Sequence, residues 1–253
     1  MNIDHPLAYH IPSLRSLWRE AFGDTDRFLD DFFGTAFSYE RTLCIYEGEE
    51  VRAALYWFDC EYSEGKLAYI YAVATANAYR GKGLCRALTD RLHALLCERG
   101  YVGSLLVPGS KELFSFYERL GYEICSSISE REFAAKRNTF DFRIIDRNEY
   151  ADLRRRLIPA GGVIQENENL AFLDTQAEFC AGDGLLLAFR RKNGRVYGLE
   201  LLGDASFAPM LCDFLECGSG KFRIPGDEMP FGMFSSAGDK KTPPPSYFGL
   251  AFD

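Results

Sequence analysis

Residues 79–88, YRGKGLCRAL, place two glycines and three cationic residues between a candidate strand and a candidate helix. The apolar run YIYAVAT precedes this segment, and leucines recur at helical spacing after it, from Leu84 to Leu96. Glycines allow turns and close ligand approaches that other residues avoid, and the amides at a helix N-terminus attract anions. The segment therefore predicts a strand–loop–helix unit of an α/β fold, with a candidate phosphate site at its loop.

Two common phosphate loops do not fit this segment. A Walker loop requires G-x-x-x-x-G-K-[ST], which is missing, and GKGLCR lacks the third glycine of a Rossmann fingerprint. The sheet before the loop is also rich in hairpins instead of βαβ units. Two interpretations remain from the loop alone: a strand–loop–helix that holds a pyrophosphate with its main-chain amides, and an ordinary helix start with exposed basic residues.

Charge and composition narrow the functional classes. The chain has 253 residues and a net charge of -8, which argues against a general binder of nucleic acid or anionic membranes. No apolar run is long enough to span a membrane, and the first residues lack the features of a signal peptide. None of the eight cysteines forms a C-x-x-C pair, so no metal site is predicted. We expect a cytoplasmic protein.

Hydrophobic periodicity predicts the elements of the first half. An amphipathic helix with Ser13 as N-cap is followed by a second helix after Gly23, and residues 42–75 are expected to form three strands. The helix after the loop ends at Gly100. A buried strand, a helix over KELFSFYERLGY and another strand complete this half.

The pattern restarts near residue 140. A strand, a helix, a second helix over NENLAFLDTQAEFC, a hairpin, a helix and a strand follow one another, with Asn193-Gly194 as the hairpin turn. LLVPGSKELFSFYERLGY also echoes FRIPGDEMPFGMFSSAGD, and SYFGLAFD is expected to be a last strand. We therefore predict a tandem repeat of one α/β unit, with domains at residues 1–139 and 140–253.

YIYAVATANAYRGKGLCRALTDRL resembles the acetyl-CoA loop of the GNAT acetyltransferases, whose motif is [QR]-x-x-G-x-[GA]. Arg80, Gly83 and Cys85 occupy the motif positions, and Cys85 departs from the usual glycine or alanine. LFSFYERLGYE is similar to the second recurrent piece of the family, F-Y-x-x-x-G-[FY]. The resemblance covers roughly residues 10 to 135. It implies an α/β fold with a mixed sheet, the GNAT acyl-CoA N-acyltransferase fold. The second domain would be a degenerate copy, because acidic Asp204 stands where phosphates would bind.

The resemblance also assigns residues to acetyl-CoA, the implied acetyl donor. Val73 and Thr75 would offer main-chain groups to the pantetheine arm, and Tyr117 would protonate the departing thiolate as general acid. The residues of the pyrophosphate cradle would be Arg80, Gly81, Lys82, Gly83, Leu84, Cys85 and Arg86.

The implied reaction is attack of an amine on a thioester. An alkyl amine with a pKa near 10.4 is neutral in only about one molecule in a thousand at pH 7, so a base or a desolvating pocket has to help. The candidate bases are Glu61, a water held by Tyr69 or Tyr71, and the C-terminal carboxylate of Asp253. The acceptor would be a small-molecule or peptide amine, and the net acidity favours a cationic one.

Three hypotheses follow from these patterns. The first is an acetyl-CoA-dependent N-acetyltransferase, the second a non-catalytic acyl-CoA sensor or interaction module, and the third a structural protein with a degenerate loop. Turnover separates the first from the second, and binding of CoA separates the second from the third. The oligomeric state is left open by the sequence.

Overall fold

The computed structural model describes residues 2–238 and 241–252. These residues form two compact units, each assembled from separate stretches of the chain. Unit 1 comprises the described residues up to Leu106, Phe114–Glu123 and the described residues of Phe234–Pro244. Unit 2 comprises Val107–Leu113, Ile124–Met233 and the described residues from Pro245 onward. Because the units interleave along the chain, the domain boundary at 139/140 stays a prediction.

Unit 1 is a sheet flanked by helices, in the order that the sequence predicts. Its strands are β1 (Asn2–Asp4), β2 (Thr42–Glu47), β3 (Glu50–Tyr62), β4 (Gly65–Thr75) and β5 (Gly103–Leu106). Its helices are α1 (Ile11–Phe22), α2 (Asp26–Thr35) and α3 (Leu84–Glu98), followed by α4 (Lys111–Glu118), which joins unit 1 from Phe114. Among the described residues, no helix is long and apolar enough to cross a membrane.

Aromatic packing fixes α1 and α2 on the sheet. Trp18 of α1 lies 4.6 Å from Phe32 of α2 and 5.1 Å from Tyr56 of β3, measured between ring centroids. Helix α1 begins at Ile11, with His10 as N-cap, so the prediction of Ser13 as N-cap is wrong. The Ser13 hydroxyl instead accepts a hydrogen bond of 2.8 Å from the amide of Val51. It therefore ties the helix to β3 instead of capping it.

The sheet of unit 1 runs in the order β1-β2-β3-β4-β5. Strands β1 to β4 pair antiparallel, and β4 pairs with β5 in parallel. The β3–β4 register shifts between Ala54 and Tyr56, and Ala72 of β4 has a φ of 49°, a value that non-glycine residues seldom adopt. The shift marks a β-bulge, which bends β4 shortly before its C-terminal end.

A segment from the far end of the sequence completes unit 1. The amide of Ala237 donates to the carbonyl of Val102 over 3.0 Å, and the Tyr62 hydroxyl donates to the carbonyl of Pro243 over 2.6 Å. A Cβ built on Gly103 would lie 2.4 Å from the Phe234 ring. Only glycine fits at this position of β5, because a side chain would overlap the ring.

Unit 2 contains strands and helices of its own. Its strands are β6 (Glu123–Ala134), which enters it at Ile124, β7 (Arg143–Ile145), β8 (Ile164–Gln165), β9 (Glu178–Gly182), β10 (Leu185–Lys192), β11 (Arg195–Gly203), β12 (Ser219–Pro225) and β13 (Met229–Ser236), which leaves it after Met233. Its helices are α5 (Arg147–Leu157), α6 (Glu168–Asp174) and α7 (Ala208–Phe214). The hairpin predicted at Asn193-Gly194 joins β10 to β11.

Strand pairing in unit 2 follows the scheme of unit 1. Strand β1 of unit 1 pairs antiparallel with β2, and β7 of unit 2 pairs antiparallel with β9. In each case two α-helices lie between the paired strands along the chain. In unit 1 the antiparallel pairs β2–β3 and β3–β4 follow, and then the parallel pair β4–β5. In unit 2 the antiparallel pairs β9–β10 and β10–β11 follow, and then the parallel pair β11–β12. The β10–β11 register also shifts, between Ala188 and Phe189. The two units therefore share an order of elements and a sense of pairing.

The carboxyl-terminal segment differs from the sequence-based expectation. SYFGLAFD is not a strand in its described part: it forms one isolated bridge, between Tyr247 and Gly162. The echo between the two Pro-Gly segments also fails, because KELFSFYE forms helix α4 whereas MPFGMFSS forms strand β13. Sequence similarity of this length was too weak to distinguish a helix from a strand.

A buried ion pair anchors that segment in unit 2. The Arg154 guanidinium donates to both carboxylate oxygens of Glu200, over 2.6 and 3.0 Å, and both side chains are almost completely buried. The hydroxyls of Tyr150 and Tyr247 donate to the same carboxylate, over 3.0 and 3.1 Å. The carboxylate thus has four donors, which offsets the cost of burying its charge.

Candidate active site

The ladder between strands β4 and β5 is much shorter than β4 itself. The parallel pairing covers Leu67–Tyr69 on β4 and Gly103–Leu105 on β5, whereas β4 continues to Thr75. Beyond Tyr69, the edge of β4 that faces β5 has no ladder partner among the described residues. Unpaired main-chain groups at such an edge are available to a ligand that lies along the strand.

The loop after β4 turns the chain into α3. It contains a short 3₁₀ turn, Asn77–Tyr79, and two glycines in the left-handed region, Gly81 with φ 74° and Gly83 with φ 78°. Gly83 is the N-cap of α3 and has no side chain to cap the first-turn amides. A Cβ built on either glycine would meet no atom within 4 Å. The open space therefore lies directly beside amides that have no acceptor within the helix.

The three predicted cations line this loop and are exposed. Each one donates to a main-chain carbonyl: Arg80 Nε to Thr75 over 3.1 Å, Lys82 Nζ to Ala78 over 3.0 Å, and Arg86 to Arg119 over 2.6 Å. These bonds hold the side chains near the loop and leave most of their charge in solvent. Together with the partial positive charge at the start of α3, they favour an anion at the loop.

The structure brings the remaining cofactor residues of the prediction to the same place. Val73 and Thr75 are half-buried near the end of β4, just after the bulge at Ala72. The carbonyl of Thr75 accepts from Arg80. The side chain of Leu84 is buried, so this residue offers the loop only its main chain.

Cys85 lies in the first turn of α3 and is half-buried. Burial raises the pKa of its thiol to about 11, against the opposing effects of Thr89 and Arg86. The thiol is therefore protonated and uncharged at neutral pH. Because cysteine is small and its thiol is uncharged, the residue at this motif position is compatible with a cradle made of amides.

Tyr117 lies on α4 and is 9 % exposed. Its ring is 5.3 Å from Phe116 and 5.8 Å from Tyr122, between centroids. Burial raises the pKa of the phenol well above its usual value, and the nearby Cys85 raises it further. The hydroxyl therefore carries its proton at neutral pH, as a general acid must. Within the described residues, no hydrogen bond from this hydroxyl is observed.

The candidate bases fall in different places. Glu61 is exposed and lies opposite Lys66 in the β3–β4 ladder, near the hairpin end of β4. This end is about 30 Å along the strand from Thr75. Glu61 therefore lies away from the loop. Tyr69 and Tyr71 belong to an aromatic cluster, with Tyr69 stacked 5.8 Å from Phe58. Asp253 lies outside the described residues.

A buried hydrogen-bond triangle beside Tyr117 escaped the sequence-based prediction. The Tyr122 hydroxyl lies 2.8 Å from Ser104 Oγ, and His93 Nε2 lies 3.0 Å from both oxygens. Burial lowers the pKa of His93, although Asp90 acts in the opposite direction. The sequence contained one usable signal, the Tyr122 position of the second motif, but Ser104 and His93 carry no motif of their own.

The corresponding turn of unit 2 has a different chemistry. After β11, Gly203 has a φ of 96°, and the Asp204 side chain accepts from the amide of Ser206 over 2.9 Å. Hydrogen bonds from Ser206 lower the pKa of Asp204, which is therefore ionised at neutral pH. An anion would be repelled there. Among the described residues, no group of His, Cys, Asp and Glu side chains could hold a metal ion.

Comparison with known proteins agrees with this geometry. Residues 8–125 match the family model of the acetyltransferase (GNAT) domain. A conserved protein of unknown function from Enterococcus faecalis V583 superposes with a TM-score of 0.71 at 16% identity, over 93% of this chain and 72% of that one. No curated protein sequence matches the chain significantly.

Two further solved structures share the fold. One is a GCN5-related N-acetyltransferase from Anabaena variabilis ATCC 29413, with a TM-score of 0.69 and 14% identity over 92% of this chain and 72% of that one. The other is a GCN5-related N-acetyltransferase from Kribbella flavida, with a TM-score of 0.68 and 16% identity over 92% of this chain and 70% of that one. Identities this low support the fold alone. The matched segment contains the loop, α3 and Tyr117. Residues 8–125 of the chain therefore form a domain that matches the GNAT acetyltransferase family.

Proposed function

We propose that this protein is an acetyl-CoA-dependent N-acetyltransferase that acetylates a primary amine by direct attack on the thioester. The match to the GNAT family supports an acyl-CoA-dependent N-acyltransferase. The proposal depends on one observation in unit 1, that two features follow each other directly along the chain. The edge of β4 becomes unpaired next to β5, and the chain then enters the glycine loop at the start of α3.

The residues present fit coenzyme A. Its pantetheine arm contains two amide groups, which suit the unpaired edge of β4 at Val73 and Thr75. Its pyrophosphate suits the amides from Gly81 to Arg86, because these have no helical acceptor and stand beside open space. Arg80, Lys82 and Arg86 add positive charge at this loop in a protein whose net charge is -8. Any side chain at Gly81 or Gly83 would project into the space that the phosphates need.

Acetyl-CoA, when bound, supplies an activated acetyl group as a thioester. Tyr117 is the proposed donor of the proton that the departing thiolate takes up. Its burial supports this role, because a raised pKa keeps the phenol protonated until a strongly basic thiolate develops beside it. The hydrogen bonds among Tyr122, Ser104 and His93 hold the wall against which the Tyr117 ring packs.

The acceptor amine must lose its proton before or during attack. We propose the C-terminal carboxylate of Asp253 as the base, among the candidates that the sequence offers. Glu61 is the weakest of them because it lies at the hairpin end of β4. The net charge of the protein supports a cationic amine as acceptor.

We propose that unit 2 descends from the same fold and has lost cofactor binding. The shared order of strand pairing supports a tandem origin. The loss is supported by Asp204, which places a carboxylate at the turn where unit 1 has its glycine loop. Domains at residues 1–139 and 140–253 and a cytoplasmic location remain predictions.

One experiment separates the enzyme from the sensor. The purified protein is incubated with acetyl-CoA and a panel of amines, including polyamines, aminoglycosides and lysine peptides, and released CoA is measured with a thiol reagent. An N-acetyltransferase releases CoA with some amine above the rate without amine. Binding of acetyl-CoA by calorimetry with no release across the panel would instead identify a sensor, and absence of binding would contradict both.

A further inference from the structure

Unit 2 contains a basic cleft that the proposed acetyl transfer does not use. It has a volume of about 640 Å³, which lies within the range of small-molecule sites. Four cationic side chains line it, Arg190 and Lys192 from β10 and Lys221 and Arg223 from β12. Glu130 is the single carboxylate among the lining residues.

The register of the strands explains why these side chains converge. Arg190 pairs with Tyr197 of β11, and Tyr197 pairs with Lys221 of β12, so the three side chains form a row across one face of the sheet. Two residues further along each outer strand, Lys192 and Arg223 lie on the same face. With strands about 4.8 Å apart, the outer members of the row are about 10 Å from each other.

The opposite face of this sheet is the apolar core. Phe189, Val196 and Phe222 alternate with the cleft residues along their strands and pack with α7. The cationic face is therefore a consequence of the strand alternation, and these four side chains have no other face to occupy. Gly198, beside Tyr197, packs closely against this core, because a Cβ built on it would overlap Phe222.

The lining of the cleft contains more cations than carboxylates. Lys221 forms an ion pair with Glu130, and Arg190 donates to Gln176. Arg223 lies 4.6 Å from the Phe231 ring, and Lys192 is exposed. Against four cations the lining offers one carboxylate, in a protein of net charge -8. A cleft lined mainly by one sign of charge attracts ligands of the opposite charge.

We infer that this cleft binds a small anion with two or more phosphate groups. Guanidinium groups bind phosphate oxygens in pairs, and lysine ammonium groups add point charges at the edge. The main chains of Arg190 and Lys221 lie about 10 Å apart across the row, so these long side chains can converge on a single pyrophosphate group. The Tyr197 ring, 39% exposed, would lie beneath this group.

The test uses inorganic pyrophosphate as the probe in isothermal calorimetry with the full chain. The cleft variant is Lys192→Gln/Lys221→Gln, and the matched control is Lys136→Gln/Arg137→Gln, two exposed cations of unit 2 outside the cleft. Both double variants remove two positive charges. The glycine loop of unit 1 is identical in all three proteins, so a difference among them reports the cleft, whether or not unit 1 binds CoA.

The expected result is binding to the wild type that weakens about tenfold or more in the cleft variant and stays unchanged in the control. Equal affinities in the two double variants, or no heat with millimolar pyrophosphate and wild type, would overturn the inference. Because Lys221 forms an ion pair, Lys192→Glu provides a second variant at an exposed position. It should weaken binding without changing the melting temperature.

Discussion

The ring of Tyr117 lies edge-on to the ring of Tyr122, with centroids 5.8 Å apart and an interplanar angle of 75°. Edge-to-face pairs of this kind define the orientation of both rings. Tyr122 is in turn held by Ser104, over 2.8 Å, and by His93, over 3.0 Å. The position of the proposed acid therefore depends on a buried polar group behind it as well as on its own helix.

Tyr117→Phe is expected to reduce kcat by about 100-fold or more, because general acid catalysis contributes that much in other enzymes. The affinity for acetyl-CoA should stay unchanged, since the substitution leaves the loop and β4 intact. Steady-state CoA release and calorimetry measure the two quantities. The melting temperature serves as control: the hydroxyl is not seen to bond within the described part of the chain, so its removal should cost little stability. Full activity would remove Tyr117 from the acid role.

Gly83→Ala is expected to weaken CoA binding about tenfold, because an L-residue resists a φ of 78° and its Cβ enters the phosphate space. Gly100→Ala is the matched control. Gly100 lies just after the other end of α3, has a φ of 74° and also faces open space. Both variants should lose about 1–2 kcal/mol of unfolding free energy. Equal CoA affinities in the two variants would refute the phosphate cradle.

The part of the site that could be predicted from the sequence is encoded in short local patterns. The loop from Arg80 to Arg86 and Tyr117 lie in two short motifs, and the structure brings the loop together with the end of β4. Hydrophobic periodicity also predicted β2, β3 and β4, because each strand is bounded by turn residues that stop it. These features depend on neighbours in the sequence.

The features that could not be predicted depend on contacts between residues that are far apart in the sequence. The segment from Phe234 belongs to unit 1, where it packs on Gly103, although more than a hundred residues separate the two. No periodicity encodes such a contact, because a strand pattern specifies its burial but not its partner. The same holds for Ser104 and His93, which acquire their role only when α3 packs on β5.

Glu200→Gln is expected to lower the free energy of unfolding by about 3–5 kcal/mol, because it leaves the buried Arg154 charge without its counter-ion. Chemical denaturation in urea measures the change. Glu228→Gln is the matched control, since Glu228 forms an exposed pair with Arg131. Exposed pairs contribute little to stability, so this variant should unfold near the wild-type midpoint. Similar losses in both variants would show that burial does not strengthen the Arg154–Glu200 pair.

Stability is expected to fall as the pH is lowered past the ordinary pKa of histidine, and His93 should account for part of the loss. Burial lowers the pKa of His93 from its usual 6.5, so the unfolded chain binds this proton at a higher pH than the folded protein does. The unfolding free energy is therefore unaffected by His93 well above pH 6.5 and decreases as the pH falls from there toward the folded pKa.

His93→Gln tests this linkage, because glutamine retains a side-chain polar group near Ser104 and Tyr122 but does not titrate. Urea unfolding is measured at several values between about pH 7 and about pH 5, where carboxylates with ordinary pKa values are still largely ionised. The variant should be less stable at pH 7, and its stability should decrease less steeply with falling pH than that of the wild type. Parallel curves for the two proteins would mean that His93 takes up its proton equally well in both states, and that burial does not keep the imidazole behind Tyr122 neutral.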